Sequence, residues 1–174
     1  MPSNEQESDR LLCSLRSADG LGVVRAEDRS DTDIEDLWSA LTDPLRLAAW
    51  YGEIEGELRL GGEFRARIFA SGWEGTGRVD VCERPRRLLL TMTQSGKSAS
   101  VLEAILAADG RRTLLVIERR GVPLGHLAAY GAGWQIHVED LGAFLAGRDR
   151  CDADARWGEL ESAYDVVAGN VIER

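Results

Sequence analysis

Little in this chain of 174 residues invites redox, metal or membrane chemistry. Its three cysteines, Cys13, Cys82 and Cys151, are odd in number, far apart and without a C-x-x-C pair, which argues against a disulfide framework or a zinc knuckle. Reduced thiols are expected, with Cys82 a small residue in or beside the core. The two histidines, His126 and His137, miss the H-x-x-x-H spacing and have no ligand cluster around them, so no metal and no cofactor is expected. No apolar run approaches the ~20 residues that cross a bilayer, and membrane insertion is not expected. Met1 to Arg10 is polar and lacks a signal core, so the expected location is cytoplasmic. Basic residues are outnumbered, 21 Lys and Arg against 30 Asp and Glu, for a net charge of -9, the wrong sign for a nucleic-acid partner. There is no G-x-S-x-G elbow, Walker loop or dinucleotide fingerprint, because the glycines of GLGVVRA and YGAGWQ fall at the wrong spacing.

What is present fits one soluble domain. The length allows roughly 70% of the unfolded surface to be buried, and 44% apolar with 29% charged residues is an ordinary globular balance. No repeat or linker divides the chain. Residues 1–19 lack lasting periodicity and read as a flexible tail, or a local helix around Leu11 to Leu15, with the domain running from 20 to 174. A first strand is expected at Leu21 to Glu27. Thr32 and Glu35 fit a capping box before Ile34, Leu37, Trp38 and Leu41 at helical spacing. Asp43 and Pro44 open a second short helix. Strands follow at Glu53 to Leu60, Glu63 to Ala70, Gly72 to Glu83, Arg87 to Thr93, Ser98 to Ala107 and Arg111 to Arg119, with tight turns at Ser95-Gly96 and Asp109-Gly110. Leu127 to Ala146 reads as a long helix with Tyr130, Trp134, His137, Val138, Leu141, Phe144 and Leu145 on one stripe. Gly131 and Gly133 cost up to ~1 kcal/mol each there, which would let the helix start only after them. A further helix is expected from about Asp152.

The stretch DPLRLAAWYGEIEGELRLGGEFRARI, Asp43 to Ile68, carries a D-P-x-x-L-x-x-W helix followed by a Gly-Gly-x-Phe strand. With GRVDVCERPRRLLLTM, DGRRTLLVIERRG and YGAGWQIHVEDLGAFLAG it resembles the single-domain bacterial relatives of the Hsp90 ATPase activator C-terminal domain, within the START-like SRPBCC superfamily. The resemblance covers nearly everything after Gly20. It implies an α+β helix-grip fold: a curved antiparallel sheet of about six to seven strands wrapped around a long C-terminal helix, with two short helices after the first strand. It is specific for fold and poor for function, since such folds host carriers, cyclases, receptors and proteins without a known ligand.

Period two places Phe64, Ala66 and Ile68 on one face, as it does Leu88, Leu90 and Met92, then Leu102, Ala104 and Leu106, then Leu115, Ile117 and Arg119. These faces would oppose the stripe from Tyr130 through Trp134, His137 and Leu141. Space left between them would be a cavity for an apolar or aromatic small molecule, walled also by Trp50 and Trp73. Taken singly, each of these side chains is explained more simply as core filling. His137 could orient a ligand or move a proton, although a core histidine bonded to a backbone carbonyl, or a partly exposed one, is the plainer expectation. Arg119 stands where the resembled family often has a polar residue such as His; it could clamp a carboxylate or pair with Glu118 or Glu139. Arg65, Arg67 and Arg78 alternate outward as a solvated face.

The leading expectation is a binding protein without enzymatic activity. A cyclase- or dehydratase-like enzyme, or an antibiotic self-resistance protein, would use Tyr130, His137 and Arg119. A module acting on an Hsp90-type chaperone is the third alternative, and a homodimer is left open.

Overall fold

The computed structural model of the chain describes residues 10–172. Its strands are β1 (Cys13–Ala18), β2 (Leu21–Ser30), β3 (Gly52–Gly56), β4 (Glu63–Ile68), β5 (Glu74–Glu83), β6 (Arg87–Thr93), β7 (Ser100–Asp109) and β8 (Arg112–Val122). Helices α1 (Ile34–Thr42) and α2 (Pro44–Trp50) lie between β2 and β3; α3 (Leu127–Leu145) and α4 (Ala153–Ile172) follow β8. The eight strands form one antiparallel sheet in the order β1-β2-β8-β7-β6-β5-β4-β3. After β2 the chain uses α1 and α2 to reach the far edge, then returns by a meander until β8 pairs with β2. This is the α+β helix-grip architecture.

Alternation explains the strands. In β4 each of Phe64, Ala66 and Ile68 is buried and each of Glu63, Arg65 and Arg67 is exposed, as half-buried antiparallel strands require. Arg67 and Arg78 pair on the outer face with Glu53 and Asp80. The turn after β7 places Gly110 at φ 63°, a left-handed angle that glycine adopts without a Cβ penalty.

Three expectations need correction. Cys13–Ala18 is a strand and not a tail or helix: it pairs residue for residue with β2, burying Cys13 and Leu15. The sheet therefore has eight strands, and the two short helices follow its second strand. The cap of α1 is Asp33, whose carboxylate accepts from the Asp36 amide at 2.9 Å. Thr32 instead donates its hydroxyl to Asp36 Oδ2 at 2.6 Å and accepts at its carbonyl from Thr113. Finally, α3 runs unbroken from Leu127 through both glycines. A Cβ on Gly131 would lie 2.7 Å from the Tyr164 ring, so that glycine lets α4 close on α3. Asp43 and Pro44 open α2 in the way the sequence suggests, the Asp43 carboxylate accepting from the Leu45 amide at 3.0 Å.

From Gly131 to Val138 α3 is buried on every side, because the sheet covers one face and α4 another. The core unites the inner sheet face, α1, α2 and this part of α3.

Candidate functional site

A cavity of about 270 Å³ opens between the sheet and α3. The strands contribute Ile68, Met92 and Arg119 to its wall, α3 contributes Tyr130, Trp134 and His137, and the β4–β5 turn contributes Trp73. Beneath it is a smaller apolar cavity of about 70 Å³, walled by Trp50, Phe64, Leu90 and Ile117 among others; the two share Tyr51, Ile68, Met92 and Trp134. Leu115 and Leu141 border neither cavity. Both are fully packed in the core, Leu141 because it lies one turn beyond the cavity on α3. Larger depressions of about 540 and 590 Å³ lie on the outer face of β3–β5, among exposed Glu and Arg side chains such as the paired Glu53 and Arg67. They are a solvated sheet face.

Arg119 reaches the inner face by strand parity, two residues beyond Ile117, and is only 4% exposed. Its Nε donates to Ser100 Oγ at 3.0 Å, and its guanidinium lies 5.6 Å from the Trp73 ring centre and 5.5 Å from that of Tyr130, within cation–π range. No ion pair joins it to an acid among the described residues. Glu118 and Glu139, the expected partners, are engaged elsewhere: Glu118 by Arg16 and Arg120, Glu139 by Arg156. Adjacent strand residues face opposite sides of a sheet, which removes Glu118 from reach. Burial lowers the Arg119 pKa, opposed by the neighbouring Tyr51 and Tyr130.

His137 is 5% exposed and packs edge-on against Tyr51 and Trp134, each ring centre 5.0 Å away. Its Nδ1 is buried without a hydrogen-bond partner among the described residues, where a backbone carbonyl was expected. Burial, with a smaller contribution from the Arg119 charge, pushes its pKa down to about 3, so the imidazole is neutral at physiological pH. Burial raises the Tyr51 phenol to about 12, so it too is neutral and can donate a hydrogen bond.

Residue-level reading of the sequence missed Tyr51, Gln94, Lys97, His126 and Trp157 at this cavity. Tyr51 had a visible signal: it follows Trp50 at the end of an apolar helix. The two rings stay in contact, their centres 5.1 Å apart, while Trp50 donates its indole N–H to the Ala40 carbonyl at 3.0 Å and Tyr51 reaches Trp134 and His137 of α3. Trp157 comes from α4, whose docking no local pattern specifies. Among the described residues no three His, Cys, Asp or Glu side chains assemble a metal-binding group, and no helix is long and apolar enough to cross a membrane.

Comparison with known proteins agrees with this architecture. The family model for Activator of Hsp90 ATPase homolog 1-like protein matches residues 31–146. The crystal structure of CalU16 from Micromonospora echinospora is similar at 28% identity and a TM-score of 0.75, covering 90% of this chain and 95% of that one. DynU16, a protein of the dynemicin biosynthetic locus, is 27% identical with a TM-score of 0.67 over 75% of this chain and 50% of its own length. A Bordetella parapertussis protein, BPP1335, shares the fold at 20% identity and a TM-score of 0.70, covering 90% of this chain and 92% of that one. A sequence comparison with curated proteins finds no match.

Proposed function

This chain belongs to the Activator of Hsp90 ATPase homolog 1-like protein family, and from that membership we propose that it is a small-molecule binding protein. The ligand, apolar or aromatic, sits between the sheet and α3. The observation that carries this reading is the 270 Å³ cavity whose wall combines aromatic rings with the buried Arg119 and with His137, whose Nδ1 has no hydrogen-bond partner among the described residues. Mostly apolar enclosure with a few converging polar groups is the usual composition of a ligand pocket. Similarity to DynU16, which belongs to a biosynthetic locus, supports a place beside small-molecule metabolism.

A second reading, turnover of the cyclase or dehydratase type, draws on Arg119, Tyr130 and His137 bordering one cavity. It meets an energetic objection. General-base catalysis favours a pKa near the working pH, and an imidazole held down near 3 is a weak base. Binding therefore takes precedence over chemistry.

Native mass spectrometry of protein purified from its natural host, followed by organic extraction, tests the proposal. A retained small molecule, lost in a folded Trp134→Ala variant, is the expected result. Occupancy unaffected by Trp134→Ala would move the ligand out of this cavity, and host-derived conversion of the extracted molecule, abolished by His137→Ala, would favour the enzyme.

A further inference from the structure

Arg119 is a buried cation that no acid among the described residues neutralises. The cavity at α3 and the adjoining depression of about 330 Å³ share Arg119, Trp73 and Tyr130, and among the described residues neither has an aspartate or glutamate in its wall. That is unusual for a chain of net charge -9. The basic residues are the ones gathered there: the chain's single lysine, Lys97, and His126 stand at the rim of both. Burying an uncompensated charge is costly, and most other buried or half-buried arginines in this fold have acids, as Arg120 has Glu103 and Glu118.

Geometry narrows the missing counter-ion. Nε of Arg119 is committed to Ser100, which leaves the two Nη groups, the end-on fork that a carboxylate matches with two parallel hydrogen bonds. One buried guanidinium balances one negative charge, which fits a carboxylate better than a doubly charged phosphate. Around it the wall is aromatic, with Tyr51, Trp134 and His137 in mutual ring contact. The volume of about 270 Å³ lies just below the ~300–1,000 Å³ typical of ligand pockets, which favours a compact ring system.

We propose that the ligand of this cavity is a compact aromatic acid, bound as its carboxylate, with Arg119 as its counter-ion and the aromatic wall holding its ring. This rests on the ligand-binding reading above and specifies it. Unlike a purely apolar carrier, such a protein discriminates the acid from its uncharged analogues, because only the acid satisfies the guanidinium.

The test is calorimetric titration of the full-length protein with naphthoate and with naphthamide, which has nearly the same shape and no charge. Wild type is expected to bind naphthoate at least tenfold more tightly. Arg119→Gln should remove that difference and Arg119→Lys restore part of it, with near-ultraviolet circular dichroism confirming the fold. Equal affinities in wild type, or a preference that survives Arg119→Gln, would overturn the proposal; the wild-type comparison decides by itself if Arg119→Gln does not fold. Binding of both probes without preference, weakened by Trp134→Ala, rejects the acid and leaves the pocket standing. Binding of neither rejects both.

Discussion

Arg119 and His137 illustrate how little a residue type says before its side of the sheet or helix is known. Parity along β8 puts Arg119 inward behind Leu115 and Ile117, and that much is readable from the alternation alone. What alternation cannot show is that Glu118 and Glu139 are claimed by other arginines, which leaves the clamp on a ligand, of the two roles open to Arg119, as the one those acids do not fill. His137 carries a measurable consequence. Its folded pKa is about 3, while the unfolded imidazole titrates near 6.5. Between those values the unfolded chain binds the extra proton, so the stability that comes from keeping His137 neutral is whole above about pH 6.5 and drains away as pH falls. Relative to His137→Phe, wild type should lose up to about 1.4 kcal/mol per pH unit between roughly pH 6 and pH 4. Urea unfolding of both proteins across that range reads the difference, in which the carboxylate titrations common to both cancel. A difference independent of pH would mean that His137 is hydrated in the native state.

At the scale of elements, α3 shows a local rule overruled. Helix propensity counts both glycines against it, yet Tyr164 from α4 occupies the space over Gly131. Gly142, in the same helix, has open space where its Cβ would be. The two sites therefore respond oppositely to alanine. Gly131→Ala should lose up to about 2 kcal/mol, since overpacking costs ~1–3 and the propensity gain returns only ~1 kcal/mol. Gly142→Ala should gain about 0.5–1 kcal/mol. Chemical denaturation of the two variants distinguishes a packing requirement from simple tolerance; stabilisation by both would refute the packing argument. The shifted cap at α1 has a similar lesson on a smaller scale. Thr32 and Asp33 are both capping residue types, and the bond from Thr113 to the Thr32 carbonyl holds Thr32 against β8 while Asp33 closes the helix.

For the molecule as a whole, β1 matters beyond adding a strand. The Arg10 carbonyl and the Leu12 amide bond to the Gln135 side chain of α3, and the Cys13 amide donates to the Tyr164 hydroxyl of α4, which itself donates to Gln135 Oε1 at 2.5 Å. Gln135 and Tyr164 are both buried, so this segment satisfies polar groups on two helices at once. A chain lacking residues 1–19 should be destabilised by several kcal/mol, since each buried polar group left unsatisfied costs ~1–3 kcal/mol and the buried Cys13 and Leu15 are lost as well. Its urea midpoint should fall accordingly, and sedimentation should detect self-association through the bared edge of β2. An unchanged midpoint would restore the view of this segment as a dispensable tail.

Composition, alternation and turn chemistry by themselves determined the meander from β4 to β8, the two short helices and the long helix that faces the sheet. All of these depend on neighbours within a few residues, and their periods of two and about 3.6 are written locally. The recognisable motifs from Asp43 to Gly147 extended this to the α+β helix-grip fold. Tertiary structure alone decided that β1 is a strand, since a short segment without clear periodicity becomes one only when β2 offers its edge. It alone brought Tyr51, just past α2, and Trp157 of α4 to the same cavity, and it alone left Arg119 without an acid among the described residues. A binding site is made of such long-range coincidences and of the partners that other residues have already taken, and neither has a period that a linear pattern can carry.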